Sequence, residues 1–390
     1  MAPTSRRRLY FGAAALAAVV TLAIAASLPG RGSYRYLNVF QEVWGLTRAN
    51  YVEPVNEAEL LEGAYRGMLA SVDAVSSYLE PGEEKLLAEA EPAGGLGIEL
   101  LPAGGIPVVV RVEPGSAAEK QGIGIGDQVW KVGGKSTRLV AWPVLRRMVR
   151  GTPGTTVDLE VLDAKKFDMN TRTLTYEPGA GKGFTLSRLE GPVIALRLAD
   201  PATVSADALR TELAAARTAD PAAPLLVDLR GAAGLAPREL VRLSGVLLPG
   251  GDLLKLASRG GAEEVVRAPD LPRAELPGKL FVLVDGTTAG TGEALAALLR
   301  ERANGVLIGR PTYGLAGLPE LIPLSAGGHV LLSTRQMRTP SGATWSEKGL
   351  EPTKILTPGQ QVAKAADPLL ETALRWIREG APMAAARPAA

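Results

Sequence analysis

From Phe184 onward the chain alternates short, uninterrupted apolar runs with stretches of helical spacing, and this alternation restricts the possible architectures more than any other feature. VIALRL (Val193 to Leu198) precedes a helical stretch from Ser205 to Thr218. PLLVDLR (Pro224 to Arg230) precedes one from Pro237 to Leu248, and KLFVLVDG (Lys279 to Gly286) one from Gly292 to Asn304. A strand with one wet face alternates apolar and polar residues; these do not, so both faces are expected to be covered, and helical crossovers make the strands largely parallel. VLIG (Val306 to Gly309) supplies a fourth short strand and HVLLSTRQM (His329 to Met337) a longer edge or hairpin strand. A last amphipathic helix is expected to start with Asp367 as N-cap and Pro368 at the first helical position. The fold class is therefore α/β.

Upstream the pattern changes twice. Leu37, Phe40, Val43 and Trp44 recur at helical spacing between Tyr36 and Tyr51, and Asn56 with Glu59 makes a capping signal for a second helix through Leu69. An Ala/Glu/Pro stretch from Lys85 to Ala93 reads as a linker. Between Gly94 and Leu162 come short β-like runs with glycine turns (GGLGIEL, IPVVVRV, QVWKVGGK, TVDLEVL), and helical spacing returns around Trp142 to Val149. This order, with PGSAAEKQGIGIGD at Pro114 to Asp127, resembles a bacterial PDZ domain. In such domains a loop of backbone N–H groups receives a peptide's terminal carboxylate while the peptide adds as a strand to the sheet edge. Gly95, Leu96, Gly97 and Ile98 occupy that place.

Composition narrows the function. Lys plus Arg number 43 against 41 Asp plus Glu, a net charge of +2, and aromatics make up 5%, so the chain offers neither a basic groove nor a stacking platform and nucleic acid is not an expected partner. The absence of cysteine removes disulfides, thiolate metal sites and a cysteine nucleophile. With His329 as the single histidine, a histidine triad or multi-histidine metal site is not expected, and no metal or cofactor is implied. At the N-terminus, Arg6, Arg7 and Arg8 precede an uncharged apolar run from Leu9 to Leu28. Twenty residues at helical rise span about 30 Å, the thickness of a bilayer core. The arginines favour a cytoplasmic N-terminus, so the body is expected to be extracytoplasmic (periplasmic or cell-envelope), with residues 1–30 a retained anchor or a cleaved signal peptide.

The later motifs identify a family resemblance. GMLASVDAVSSYLEP (Gly67 to Pro81), DLRGAAGLA (Asp228 to Ala236), VDGTTAGTGE (Val284 to Glu293), IGRPTYGLAG (Ile308 to Gly317) and TPSGATWSEKGLEP (Thr339 to Pro352) fall in the order found in the C-terminal processing (tail-specific) peptidases. The resemblance implies a ClpP/crotonase-like β/α core with N-terminal helices and an inserted PDZ domain. Its expected layout is leader 1–30, helical region 31–93, PDZ 94–165, peptidase-like core 166–383 and frayed tail 384–390. It also implies a Ser–Lys dyad, the serine in a turn S-A-S-A-S-E and the lysine in T-F/Y-G-K-G. Here those positions hold Gly290 and Leu315, twenty-five residues apart. A glycine has no atom to attack a carbonyl and a leucine cannot take a proton, so no catalytic residue is expected and the chain reads as a pseudoprotease. An oxyanion-hole remnant is assigned to Gly234 and to the backbone N–H of Thr291, with Leu235 replacing a second glycine.

The function expected from these residues is binding of peptides or protein C-termini through the PDZ domain, regulating an active protease or organising an envelope assembly. The rival is an endopeptidase using a non-standard nucleophile such as Thr291, although no Lys or His lies in the adjoining stretch to activate it. A third reading is an interaction protein whose PDZ groove is closed by its own helix. Bland assignments cover the rest: GGKS (Gly133 to Ser136) is a hairpin, Glu293 a helix-dipole residue, and His329 an exposed turn residue.

Overall fold

The computed structural model describes residues 31–88, 92–178, 183–198, 201–234, 236–269, 275–276, 278–359 and 367–380. The leader at 1–30, Leu235 and the tail at 384–390 lie outside the described residues. Among those described, no helix is long and apolar enough to cross a membrane. The chain divides into two compact units, Met1–Gly63 and Ala64–Ala390. In the first, the helix Arg31–Asn50 leaves Tyr36, Leu37, Phe40 and Val43 exposed, and an Arg48–Glu57 ion pair of 2.9 Å ties its end to the start of the next helix.

The second unit holds the sheets. A six-stranded sheet runs in the order Phe184–Leu189, Val193–Leu198, Leu225–Asp228, Leu280–Val284, Val306–Gly309, Lys354–Ile355; the first pair is antiparallel and the rest are parallel. Side chains alternate across it with the two-residue period of a strand. Leu225, Val227, Val282 and Val284 enter one core with the helices Ala206–Ala219 and Thr291–Ala303, while Leu226, Phe281, Leu283 and Ile308 enter another under the helix Pro368–Arg378. Both faces are covered, which is why these strands are apolar throughout. The α/β core carrying an inserted PDZ domain is thus the architecture observed.

The expected helix from Pro237 to Leu248 is shorter than its apolar pattern: it ends at Leu243, where the backbone turns through Gly245 at φ +72° and the Leu243 carbonyl collects the Leu247 N–H. The stretch read as a linker contains the helix Glu84–Ala88. In the PDZ domain the order is Ile98–Ala103, Ile106–Val112, Gln128–Val132, Thr156–Leu162, Met169–Thr175, so the sheet continues past residue 165. Gly133 and Gly134 make the expected hairpin turn, both at positive φ.

Candidate functional site

At the end of the central strand Leu280–Val284 the chain makes a tight turn into the helix Thr291–Ala303, and Gly290 is that helix's N-cap. Its φ of +57° and ψ of −115° lie where a residue with a Cβ is strained. Strained strand-to-helix turns of this kind present the nucleophile in other hydrolases. Here the space beside it is filled. Ala289–Gly290 pairs in parallel with Ala233–Gly234, and a Cβ at 290 would stand 1.9 Å from the Gly234 carbonyl oxygen. No side chain fits this position unless the backbone of 233–234 withdraws. The Gly234 group nearest the turn is a carbonyl, an acceptor, whereas an oxyanion needs donors.

Leu315 sits 4% exposed in an apolar cluster with Ala233, Ala289, Val75, Leu101 and Trp142, the last two from the PDZ domain. Its main chain is held at both ends of the peptide unit, the N–H donating to Glu293 Oε2 at 2.7 Å and the carbonyl accepting from Trp345 Nε1 at 3.1 Å. Positions 290 and 315, where the resemblance would place a dyad, are brought together by the fold: Glu293 accepts from the N–H of both, and Leu315 shares an apolar cluster with Ala289.

Glu293 lies in the helix's first turn as expected and bonds the N-cap N–H, but its carboxylate also reaches beyond the helix. It is fully buried and its carboxylate accepts from the N–H groups of Gly290 (3.0 Å), Gly314 (2.7 Å) and Leu315 (2.7 Å) and from the Thr312 hydroxyl. One side chain thus pins the turn at 290 to the segment 312–315. Burial pushes its carboxyl up to about 7, against the downward pull of these hydrogen bonds. Tyr313, between these donors, has its phenol pushed up to about 12 by burial and then by the negative field of Glu293 and Asp73; its hydroxyl donates to the Pro102 carbonyl at 2.7 Å.

The nearby threonines are all engaged. Thr291 is fully buried and its Oγ1 donates to Glu239 Oε2 at 2.9 Å, a carboxylate fifty-two residues away that the sequence reading missed. Thr288 Oγ1 donates to the Leu229 carbonyl at 3.0 Å, and Thr287 Oγ1 donates to Asp285 and accepts from the Gly231 N–H. A hydroxyl beside a carboxylate has the polarity of a nucleophile with its base, but Thr291 has no surface from which to reach a substrate. Lys348 is exposed on a surface turn. His329 is not a turn residue: it begins the strand His329–Arg338 and, three-quarters buried, places Nδ1 3.7 Å from Glu84. No cluster of potential metal ligands occurs among the described residues.

Open space lies to either side of Tyr313. A cleft of about 700 Å3 is lined by Leu315, Asp73, Ser258, Arg259 and Arg338; a second pocket of about 450 Å3 lies against Pro102, Gly105, Ala141 and Leu145, and Asp73, Ala74 and Tyr313 line both. The second pocket adjoins the end of the PDZ groove. At the groove's other end, the expected loop residues Gly95, Leu96, Gly97 and Ile98 run from the short strand Gly94–Gly95 into the strand Ile98–Ala103. Gly97, at φ +77°, has no room for a Cβ beside Ser116, which explains its identity. Leu96 and Ile98 point into the PDZ core.

Comparison with known proteins agrees with this architecture. Residues 195–356 match Peptidase family S41 and residues 86–162 match the PDZ domain. The carboxy-terminal processing protease CtpA of Bacillus subtilis is 26% identical over 318 residues, which span 78% of this chain and 66% of that protein, just under two thirds of it. The carboxy-terminal-processing protease of Bartonella bacilliformis is 24% identical over 367 residues, covering 89% of this chain and 82% of the relative. Among solved structures, the photosystem II D1 C-terminal processing protease superposes with a TM-score of 0.59 at 22% identity, over 86% of this chain and 95% of that one.

Proposed function

Starting from a chain that joins a family S41 peptidase domain to a PDZ domain, with carboxy-terminal processing proteases as its homologues, we propose that it binds peptides or protein C-termini and does not cleave them by a Ser–Lys mechanism. The observation that carries this reading is the Gly234 carbonyl 1.9 Å from where a Cβ at 290 would be: the backbone has closed over the nucleophile's place. Leu315, buried among apolar side chains, supports it, since its own side chain cannot take a proton as a dyad lysine would. Loss of the nucleophile alone costs a serine hydrolase on the order of a million-fold in turnover. The buried Thr291–Glu239 hydrogen bond weighs against the rival threonine mechanism.

The PDZ domain supplies the binding function, with Gly95, Leu96, Gly97 and Ile98 as the carboxylate loop. The partners proposed are an active protease or an envelope protein, met on the extracytoplasmic side where the arginine-led N-terminus would deliver or anchor the body. The test is a titration of the full chain with an apolar peptide bearing a free or an amidated C-terminus, run beside a digestion of an unfolded protein. Tighter binding of the free carboxylate with no new peptide termini is expected. Equal affinity for the two peptides, or reproducible cleavage, would refute the corresponding half of the proposal.

A further inference from the structure

The PDZ groove lies between the strand Ile98–Ala103 and the helix Trp142–Met148. That strand is the last of its sheet, paired with Ile106–Val112 on one side, so its other edge is where an added peptide strand would find backbone partners. Two side chains one helical turn apart on the groove helix lie across this edge. Trp142, fully buried, donates its indole Nε1–H to the Leu100 carbonyl at 2.7 Å. Arg146 places Nε 3.2 Å from the buried Glu99 carboxylate, and its guanidinium lies 5.5 Å from the centre of the Trp142 ring. At the carboxylate end, the Leu96 N–H, one of the loop's donors, is given to the Val149 carbonyl at 3.3 Å.

We infer that Trp142, held by Arg146, is an internal stand-in for the peptide, so that a ligand must displace the indole from Leu100 before it can add to the sheet. This rests on the peptide-binding reading above and deepens it. A main-chain acceptor is consumed by the protein's own helix, and the indole fills volume that a ligand would have to refill. The preferred ligand is therefore a peptide with a free carboxylate and a bulky apolar or aromatic side chain close to its C-terminus. The same ring packs in the cluster with Leu315 and Ala289, so its departure loosens the hydrocarbon seal over the former dyad positions.

The experiment is an anisotropy titration of the full chain with a fluorescein-labelled peptide ending in Phe-Ala-Val and a free carboxylate, against the wild type and the variants Trp142→Phe and Arg146→Gln. A self-occupied groove lowers apparent affinity by the fraction of time it stands open, so removing the indole donor or its clamp should tighten binding, roughly threefold to tenfold. Binding seen in Trp142→Phe but not in the wild type also supports the inference. Unchanged or weaker binding by Trp142→Phe, with the wild type binding, overturns the stand-in and leaves peptide binding intact. Failure of every variant to bind overturns both. In protein labelled with fluorotryptophan, the resonance lost in Trp142→Phe should shift when the peptide saturates the wild type; a bound complex with that resonance unmoved would contradict displacement.

Discussion

Substituting Gly290 with alanine puts a number on how far the turn has closed. An L-residue forced to φ +57° with ψ −115° carries strain of about 1–3 kcal/mol. The added methyl would also lie 1.9 Å from the Gly234 oxygen, so the 233–234 segment must move by about 1 Å or more to restore ordinary contact. That movement breaks the short ladder between Ala233–Gly234 and Ala289–Gly290, in which the Ala289 N–H donates to the Ala232 carbonyl at 2.9 Å. With about 1 kcal/mol for each of one or two lost backbone bonds, the total is about 2–5 kcal/mol. Because Ala233 and Ala289 are buried in one apolar cluster, the loss should appear as a fall in melting temperature of about 4–10 °C, at about 2 °C per kcal/mol for a unit of this size. Gly342→Ala is the control, since Gly342 is also at positive φ (+93°) but has nothing within 4 Å of its Cβ position. That variant carries strain alone, about 1–2 kcal/mol. Thermal unfolding followed by circular dichroism compares the two. If Gly290→Ala melts within a degree or so of the control, the space beside residue 290 is open and the argument from closure fails.

Other outcomes follow from the same contacts. The double variant Gly290→Ser, Leu315→Lys should show no peptidase turnover, because the serine meets the Gly234 carbonyl; recovered hydrolysis of an unfolded protein would show that side-chain loss alone silenced the site. Glu293 titrates near 7 in the folded chain, above its unfolded value of 4.5, so the folded state binds the extra proton between those limits. Its contribution is full below pH 4.5 and declines as pH rises through about 7, by about 3 kcal/mol at the outside, and Glu293→Gln should flatten that slope in denaturant unfolding measured from pH 4.5 to 8. Arg230 binds both Asp228 and Asp367, the latter being the N-cap of the helix Pro368–Arg378. Arg230→Ala strands the buried Asp228 and should cost about 3 kcal/mol, with limited proteolysis releasing the C-terminal helix first; unaltered protease resistance would contradict the clamp.

The parts legible in the sequence were those fixed by local pattern. Continuous apolar strands mark a sheet buried on both faces, and Asp367-Pro368 marks a helix start through groups within one turn of each other. The nearness of residues 290 and 315 also followed from closely spaced motifs, and Glu293 bonds the N–H of both. What escaped were contacts between distant segments. Nothing near Glu293 announces that Thr312, Gly314 and Leu315 will converge on its carboxylate, and nothing near Thr291 announces Glu239. Helical spacing around Trp142 placed the groove helix, but not the indole's reach across to Leu100. The run from Val246 to Leu248 satisfied a helical pattern while its backbone, released at Gly245, packed as a turn in the same core.

The central claim is that no group at position 290 or 315 can carry out peptide hydrolysis. Its most direct test is incubation of the purified full chain with an unfolded protein, with every new terminus identified by mass spectrometry and Thr291→Ala run in parallel. No termini beyond those of a protein-free control are expected for either sample. Cleavage by the wild type that disappears in Thr291→Ala would place a working nucleophile at this turn and contradict the account.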